Sequence, residues 1–532
     1  MDYSRIESPV SPRPAFDPTP VVTAAVFVLA SLLNHNAVLN HFLRFGADSD
    51  TLWHTGLFWL GDLRLTNPPS IDNRSYFGTH FTPFLILPGL VSRFLPFDAM
   101  EWYALVIGAC HGTTAAVLAA AIGALTRRLA IAPWTGAALA LLGGLAMTLN
   151  AVAAQLARTP HYEVLAPGLI LATTLALALE RRKLAALAFV VLLSLKQDAG
   201  LHAALLLMAF VAATWWTERR LLRAELVFAA AGVAYAVFGF AFAPLFLSYY
   251  QGHMVGYFVG DPPFAHWRLD VIATKVDYFA WQSAHVWGPM LASFAYAAVR
   301  RDLGAAIGAV AVLPWFVATV CLTNYLTVWA LAFHYVYPAL IMIGWPAVLG
   351  LYRIGPRHLT GATRGLLALQ AAVLALAFLP KFGTHLDFYF PRHRSVRYDI
   401  SREARAIDDV RAFMAALRTH RDELGKLRAN VMLISLAPHD FVRGHWIDDI
   451  KPGDPVIGAI DTIAFLEGSW GCPTVNGVAQ ATNLPFAYHV PRTRIVVLTR
   501  RRPEQMPNLL ALLEPARRTR PAFCSLAELG DR

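Results

Sequence analysis

The sequence predicts an α-helical polytopic membrane protein with about eleven transmembrane helices and a C-terminal extracytoplasmic α/β domain. Three observations predict it. Of the 532 residues, 56% are hydrophobic and only 15% are charged, too little charge to cover a soluble body of that size. The apolar residues fall in long charge-free runs, the pattern of helices that use lipid as solvent. Basic residues cluster between those runs rather than along them. The net charge of +10 therefore belongs to loops, and no basic stretch is both long and interleaved with aromatics, which argues against nucleic acid as a partner.

The chain opens with MDYSRIESPVSPRPAFDPTP, Pro-rich and weakly basic, without the charged region and cleavage site of a removable signal. Residues 1–20 are expected as a cytoplasmic tail and the first apolar run as an uncleaved anchor. Expected spans are 21–43, 101–126, 133–154, 162–180, 184–196, 199–217, 224–247, 281–299, 303–322, 327–352 and 362–380. Basic markers stand at Arg127–Arg128, Arg181–Lys183, Arg219–Arg223, Arg300–Arg301 and Arg353–Arg364. If each marks the cytoplasm, the N-terminus is inside, and an odd number of spans leaves everything after about residue 381 outside.

Two stretches of the 21–380 membrane region resist simple counting. Residues 184–217 begin and end at basic clusters, so they must cross twice or not at all. Their break is Lys196-Gln197-Asp198, and the leg before it is short for a full crossing of roughly 20 residues. Residues 81–97 (FTPFLILPGLVSRFLPF) are apolar but Pro-interrupted, and are expected to lie in the outer interface or re-enter it. Residues 40–100 and 248–285 then form long outer loops rich in Asp, His, Trp and Tyr. From about 390 the composition turns polar. RSVRYDISREARAIDDVRAFMAALRTHRDELGKL predicts an amphipathic helix, and NVMLISLAP, PVIGAIDTIAFL and TRIVVLTR predict strands, so 390–532 reads as a small α/β domain. Of four cysteines, Cys110 and Cys321 lie in apolar runs as core residues. Cys472 and Cys524 share an oxidising compartment in this topology, where a disulfide between them is allowed.

Several polar residues converge on the outer side. Asp48 and Asp50 follow the first span, and two carboxylates so spaced suit a general base or a shared divalent cation, although a solvated turn explains them equally simply. His80 could bind a phosphate as a cation or shuttle a proton; a hydrogen-bonding structural histidine is the plain alternative. His161 and Glu163 begin a span at its outer end, where a carboxylate lines a cavity or reaches back to water. Lys196 and Asp198 occupy a thin polar break, where mutual pairing lowers the cost of burial and the lysine suits a lipid-linked phosphate. His334 and Tyr335 place polar rings in an apolar run, as a substrate contact or as part of an aromatic belt.

FGTHFTPFLILPGL, HYEVLAPGLILATTLALALERRK with LLSLKQDAGL, FHYVYPAL and the C-terminal NVMLISLAPHDFVRGHW resemble, in that order, the bacterial multi-pass membrane family known as domain of unknown function 2079. That family is similar in layout to the GT-C glycosyltransferases, with an acidic first outer loop, many spans and often an outer soluble domain. The resemblance carries the family's motif positions onto His80, His161, Glu163, Lys196, Asp198 and His334. It departs at Gln197, where the family has Glu, and in the spacing of Asp48 and Asp50 from Trp53. It implies a bacterial inner membrane and a GT-C-like architecture, and the reaction expected on that architecture is transfer of a sugar from a polyprenyl-phosphate donor to an acceptor at the outer membrane face. Asp48 or Asp50 would act as base or, with Mg or Mn, as metal ligand, and the acceptor stays open. A transporter or lipid flippase, predicting matching polar breaks in two halves of the chain, and a non-catalytic assembly protein are the alternatives.

Overall fold

The structure is a computed structural model that describes residues 17–45, 63, 80–97, 99–246, 262–323, 333–353, 360–379, 400–430, 433–434, 447, 450, 453–466 and 472–516. Among the described residues, helices fall within the expected spans, many of them shorter or broken. They are α1 (Thr19–Phe45), α2 (Ile86–Ser92), α3 (Ala99–Arg128), α4 (Pro133–Leu149), α5 (Ala151–Arg158), α6 (Leu165–Ala178) and α7 (Arg182–Leu195). The series continues with α8 (Ala199–Glu218), α9 (Arg223–Phe246), α10 (Leu269–Gln282), α11 (Ala284–Arg300), α12 (Ile307–Val310) and α13 (Leu313–Phe316). It closes with α14 (Pro338–Tyr352) and α15 (Thr360–Leu376).

Among the described residues four helices are long and apolar enough to cross a membrane alone, and up to six spans result if each of two bent pairs counts as one. The expected count of about eleven is therefore not reached by length and apolarity among the described residues. The reason is local: Asn150 breaks α4 from α5 with a bend of 45°, and Ala311–Val312 precede a bend of 46°. Helix α7 has 14 residues, about 21 Å, against a hydrocarbon core of about 30 Å. Helix α10 occupies part of the expected outer loop 248–285, and α1 runs to Phe45, past the start of the expected outer loop 40–100.

Packing follows composition. Helix α14 is apolar all round and buried from Pro338 to Leu351, a central post. Helices α1 and α3 meet at Gly108 and Gly112, four positions apart. A Cβ on either would lie within 2.4 Å or 2.1 Å of Ser31 atoms, so only small residues allow the approach. On α7 the large Leu184, Leu187 and Val190 point outward while Ala185, Ala188 and Leu192 face the body.

The helical body has two chemically distinct ends. At one, Arg353 binds Glu218 and Asp302, Arg128 donates to the Leu351 carbonyl, and Arg127 meets Asp17. At the other, Trp102 donates to the Pro88 carbonyl, and the Tyr103 hydroxyl donates to the Pro160 carbonyl. Here Glu101 also pairs with Arg411 of α16 (Ile400–Thr419), which places the C-terminal part against the end away from the basic clusters.

That part carries a five-stranded sheet of order β1-β2-β4-β3-β5: β1 (Leu427–Ala429), β2 (Thr462–Leu466), β3 (Phe486–His489), β4 (Ile495–Thr499) and β5 (Glu514–Pro515). Only β1 and β2 run parallel. Strands β2 and β4 read as unbroken apolar runs because both faces are covered. Ile463, Phe465, Val496 and Leu498 join Val475 and Val478 of the helix Cys472–Thr482, while Ala464, Leu466, Ile495 and Val497 join Val410, Phe413 and Leu417 of α16. Of the strand expected at NVMLISLAP only Asn430 and residues 433–434 are described: the Asn430 side chain accepts from the Leu433 amide, and 433–434 form a helical step. The first half of PVIGAIDTIAFL is likewise a 3-10 turn, Pro455–Ala459. Cys110 is buried as a free thiol, and Cys524 lies outside the described residues, as does the Cys472 side chain.

Candidate functional site

The centre of the site is the break between α7 and α8. Lys196 leaves the helix in an extended conformation, φ −167° and ψ 154°, and Asp198 precedes the next helix. Two apolar helices are thus interrupted by three polar residues at the end of the body away from the basic clusters. The tight partner of Lys196 is Glu163, with Nζ 2.7 Å from Oε1, while Asp198 Oδ2 is 3.7 Å away. The side chains are 8%, 2% and 16% exposed respectively, so the ammonium is shared between two carboxylates in a nearly dry place. Burial of each ion costs several kcal/mol, and only close pairing offsets it. Asp198 Oδ1 is buried with no hydrogen-bond partner among the described residues.

Glu163 is set by a 3-10 turn, Tyr162–Val164, that opens α6. The Glu163 amide donates to His161 Nδ1 at 3.3 Å, so that ring caps the turn and holds the carboxylate inward. His161 stacks on Tyr162, and Tyr162 in turn stacks on Phe84 of the short turn before α2.

Aromatic rings from the second bent helix close the far side. Lys196 Nζ lies 5.5 Å from the Trp315 ring centre. The Trp315 indole donates to the Tyr337 hydroxyl at 3.1 Å, and Tyr335 packs on the same ring at 4.8 Å. His202 stands between Trp315 and Tyr337 and donates from Nδ1 to the Ala311 carbonyl at 3.1 Å. The helix bend at 311–312 is therefore tied to the lysine cluster through one imidazole.

The third wall is the segment leading into α2. Gln197 accepts from the Phe81 amide at 3.0 Å through Oε1, and its Nε2 lies 3.3 Å from His80 Nδ1. Phe81 packs between Tyr235 and Phe238 of α9, at 6.2 Å from each ring. Gly239 of the same helix abuts Gln197, where a Cβ would fall 2.6 Å from the glutamine Cβ.

Of the sequence candidates, the structure joins His161, Glu163, Lys196 and Asp198 directly, His80 through Gln197, and Tyr335 through Trp315. His334 falls in the turn Phe333–Val336, with its side chain outside the described residues. Asp48 and Asp50 lie outside the described residues altogether. Among the described residues no three His, Cys, Asp or Glu side chains converge as a metal group.

Sequence reasoning missed four participants. Gln197 reads in sequence as a lost acid; in the structure it is the link to His80. His202 stands four residues after Asp198 on a helix, a spacing that puts both near one face and was readable. Trp315 and Tyr337 carry no signal beyond being aromatic.

No family model matches the chain, and no curated relative matches it. The resemblance to the domain of unknown function 2079 therefore stands on the residues quoted for it. Among solved structures the chain is similar to ArnT from Cupriavidus metallidurans bound to undecaprenyl phosphate, with 16% identity and a TM-score of 0.47 over 93% of this chain and 99% of that one.

Proposed function

We propose that the chain is a GT-C-like membrane glycosyltransferase that moves a sugar from a polyprenyl-phosphate donor to an acceptor at the outer face of a bacterial inner membrane, with the N-terminus cytoplasmic. The observation that carries this reading is the Lys196–Glu163–Asp198 cluster at a polar helix break, away from the basic end. An intramembrane ionisable cluster is read first as a functional site because its burial is so costly.

In the proposed reaction the acceptor oxygen attacks the anomeric carbon, and its proton passes to Asp48 or Asp50. The bond from that carbon to the phosphate oxygen breaks, and the polyprenyl phosphate departs with the electron pair. Lys196 neutralises the developing charge, with His80 beside it, where low dielectric makes each donor count for more than in water. Lys196 can do this without leaving Glu163, because the longer contact to Asp198 is the one to exchange for phosphate. Glu163 and Asp198 orient the ammonium. The lipid tail would lie along residues 81–97, where Leu87 and Phe94 are exposed, and the C-terminal domain would present the acceptor. Mg or Mn at Asp48 and Asp50 is an optional addition on which no step depends.

The test is turnover of polyprenyl-phosphate sugars in membranes, comparing the natural chain with Asp48→Asn, Asp50→Asn, their combination and Lys196→Met. Loss of turnover in one aspartate variant and in Lys196→Met is the expected result. An unchanged rate in the double aspartate variant would remove both from the mechanism.

A second reading, a transporter or lipid flippase, has one observation in its favour. The two bent pairs, α4–α5 and α12–α13, are broken at similar angles, 45° and 46°, in different halves of the chain. Substrate flux into proteoliposomes without sugar transfer would favour it.

A further inference from the structure

We infer that Gln197 is a positioning residue that fixes His80 as the tautomer carrying its proton on Nε2. The argument needs only donor and acceptor types. The Phe81 backbone N–H is a donor and nothing else, so the group 3.0 Å from it must be the amide oxygen of Gln197. That assignment removes the usual ambiguity between the two ends of a glutamine amide. The other end is then the NH2, which can only donate, and it faces His80 Nδ1 at 3.3 Å. Nδ1 must therefore offer its lone pair. The ring proton sits on Nε2, and an imidazolium would set two donors face to face.

The arrangement is held from behind. Gly239 leaves no space behind the Gln197 stem, and Phe81 is wedged between Tyr235 and Phe238. Among the described residues, Lys196 and Asp198 flank Gln197 in the chain and pair with Glu163, beside His161, while Tyr235 of α9 packs on Phe81. Resting on the proposed transfer reaction, the consequence is specific. His80 acts as a neutral Nε2–H donor toward phosphate, not as a cation, and its Nδ1 is closed to an acceptor's proton.

The tautomer is measurable without substrate, so its test is separate from that of the transfer reaction. Full-length protein labelled with 15N-histidine is placed in lipid nanodiscs at pH 8, and the His80 signal is assigned by its loss in His80→Asn. The expected spectrum has His80 protonated on Nε2. His202, whose Nδ1 must donate to the Ala311 carbonyl, provides the opposite tautomer as an internal reference and reports that the fold is intact. Gln197→Glu removes the N–H and puts an acceptor before Nδ1, so the His80 proton should move to Nδ1 while His202 is unchanged. Gln197→Met, which removes both bonds, should leave a mixture. A natural chain with His80 protonated on Nδ1, or a Gln197→Glu spectrum identical to it, would overturn the inference.

Discussion

At each end of the helical body one cation stands between two carboxylates, yet the two arrangements are built for different work. At the basic end Arg353 binds Glu218 and, at 2.7 Å, Asp302, whose carboxylate also accepts from the Gly304 amide at 3.0 Å. A guanidinium is planar, permanently charged and forked, and here it fastens the end of α8, the turn before α12 and the end of α14. At the other end Lys196 holds one carboxylate at 2.7 Å and a second at 3.7 Å, among aromatic rings and imidazoles. An ammonium on a flexible stem can turn its protons toward a new acceptor without moving the backbone. Equal charge counts thus serve a joint in one place and a chemical centre in the other.

The largest effect should come from Lys196→Met. It leaves Glu163 and Asp198 buried without their cation, and breaking a buried pair by removing one partner costs about 3–5 kcal/mol. Thermal or denaturant unfolding in nanodiscs should show that loss, with turnover falling to background. Lys196→Met combined with Glu163→Gln should recover much of the stability and none of the turnover. Recovery of both would make the cluster a structural pair like its counterpart and break the comparison.

Arg353→Met should come next, at about 1.5–3 kcal/mol for lost hydrogen bonds to charged groups. Turnover per folded molecule should be unchanged. Arg353→Lys should restore only part of the stability, because one ammonium cannot reproduce the fork. If Arg353→Met abolished turnover at full stability, the joint at the basic end would be part of the chemistry.

The contrast between the ends also shows what was legible in the chain. Charge-free runs and basic markers locate the helices and set Arg128 and Arg353 on one end, because those signals are local and repeat. The polar break at Lys196 stands out for the same reason. Its tight partner does not: adjacency in sequence favours Asp198, while the closer carboxylate is Glu163. A clue was present, since Glu163 and Lys196 lie at about equal distances before and after Glu180, the left-handed turn between two helices that run antiparallel. Helix shortening was less legible. Hydropathy reports that a run is apolar but not that Asn150 will cap a new helix inside it, which is a matter of one side chain accepting from the Ala153 amide. Within the strand expected from Asn430, residues 433–434 are helical for a like reason, one side-chain acceptor at Asn430.

A smaller change sharpens the chemical end. Gly239→Val places a branched side chain against Gln197, and overpacking of this kind costs about 1–3 kcal/mol. Its informative consequence is positional: Gln197 must shift, so the His80 tautomer should become mixed while the Lys196–Glu163 pair remains. Histidine spectra and unfolding of the same sample separate the two effects. An unaltered His80 signal at reduced stability would mean that α9 only packs the segment and does not aim it.

The smallest effect is expected where a third cation meets a carboxylate, Arg411 with Glu101, between the C-terminal domain and α3. Here the side chains are 42% and 27% exposed, so water competes for both charges. Exposed pairs contribute about 0–1 kcal/mol and weaken in salt. A double-mutant cycle of Arg411→Ala and Glu101→Ala, followed by unfolding at low and high salt, should give a coupling below about 1 kcal/mol that shrinks as salt rises. The ion pair would then serve to orient the domain and contribute little to holding it. A salt-insensitive coupling above about 2 kcal/mol would instead mean that the pair is desolvated. Each of the three arginine and lysine centres would then be a buried one, and exposure could no longer be the property that ranks them.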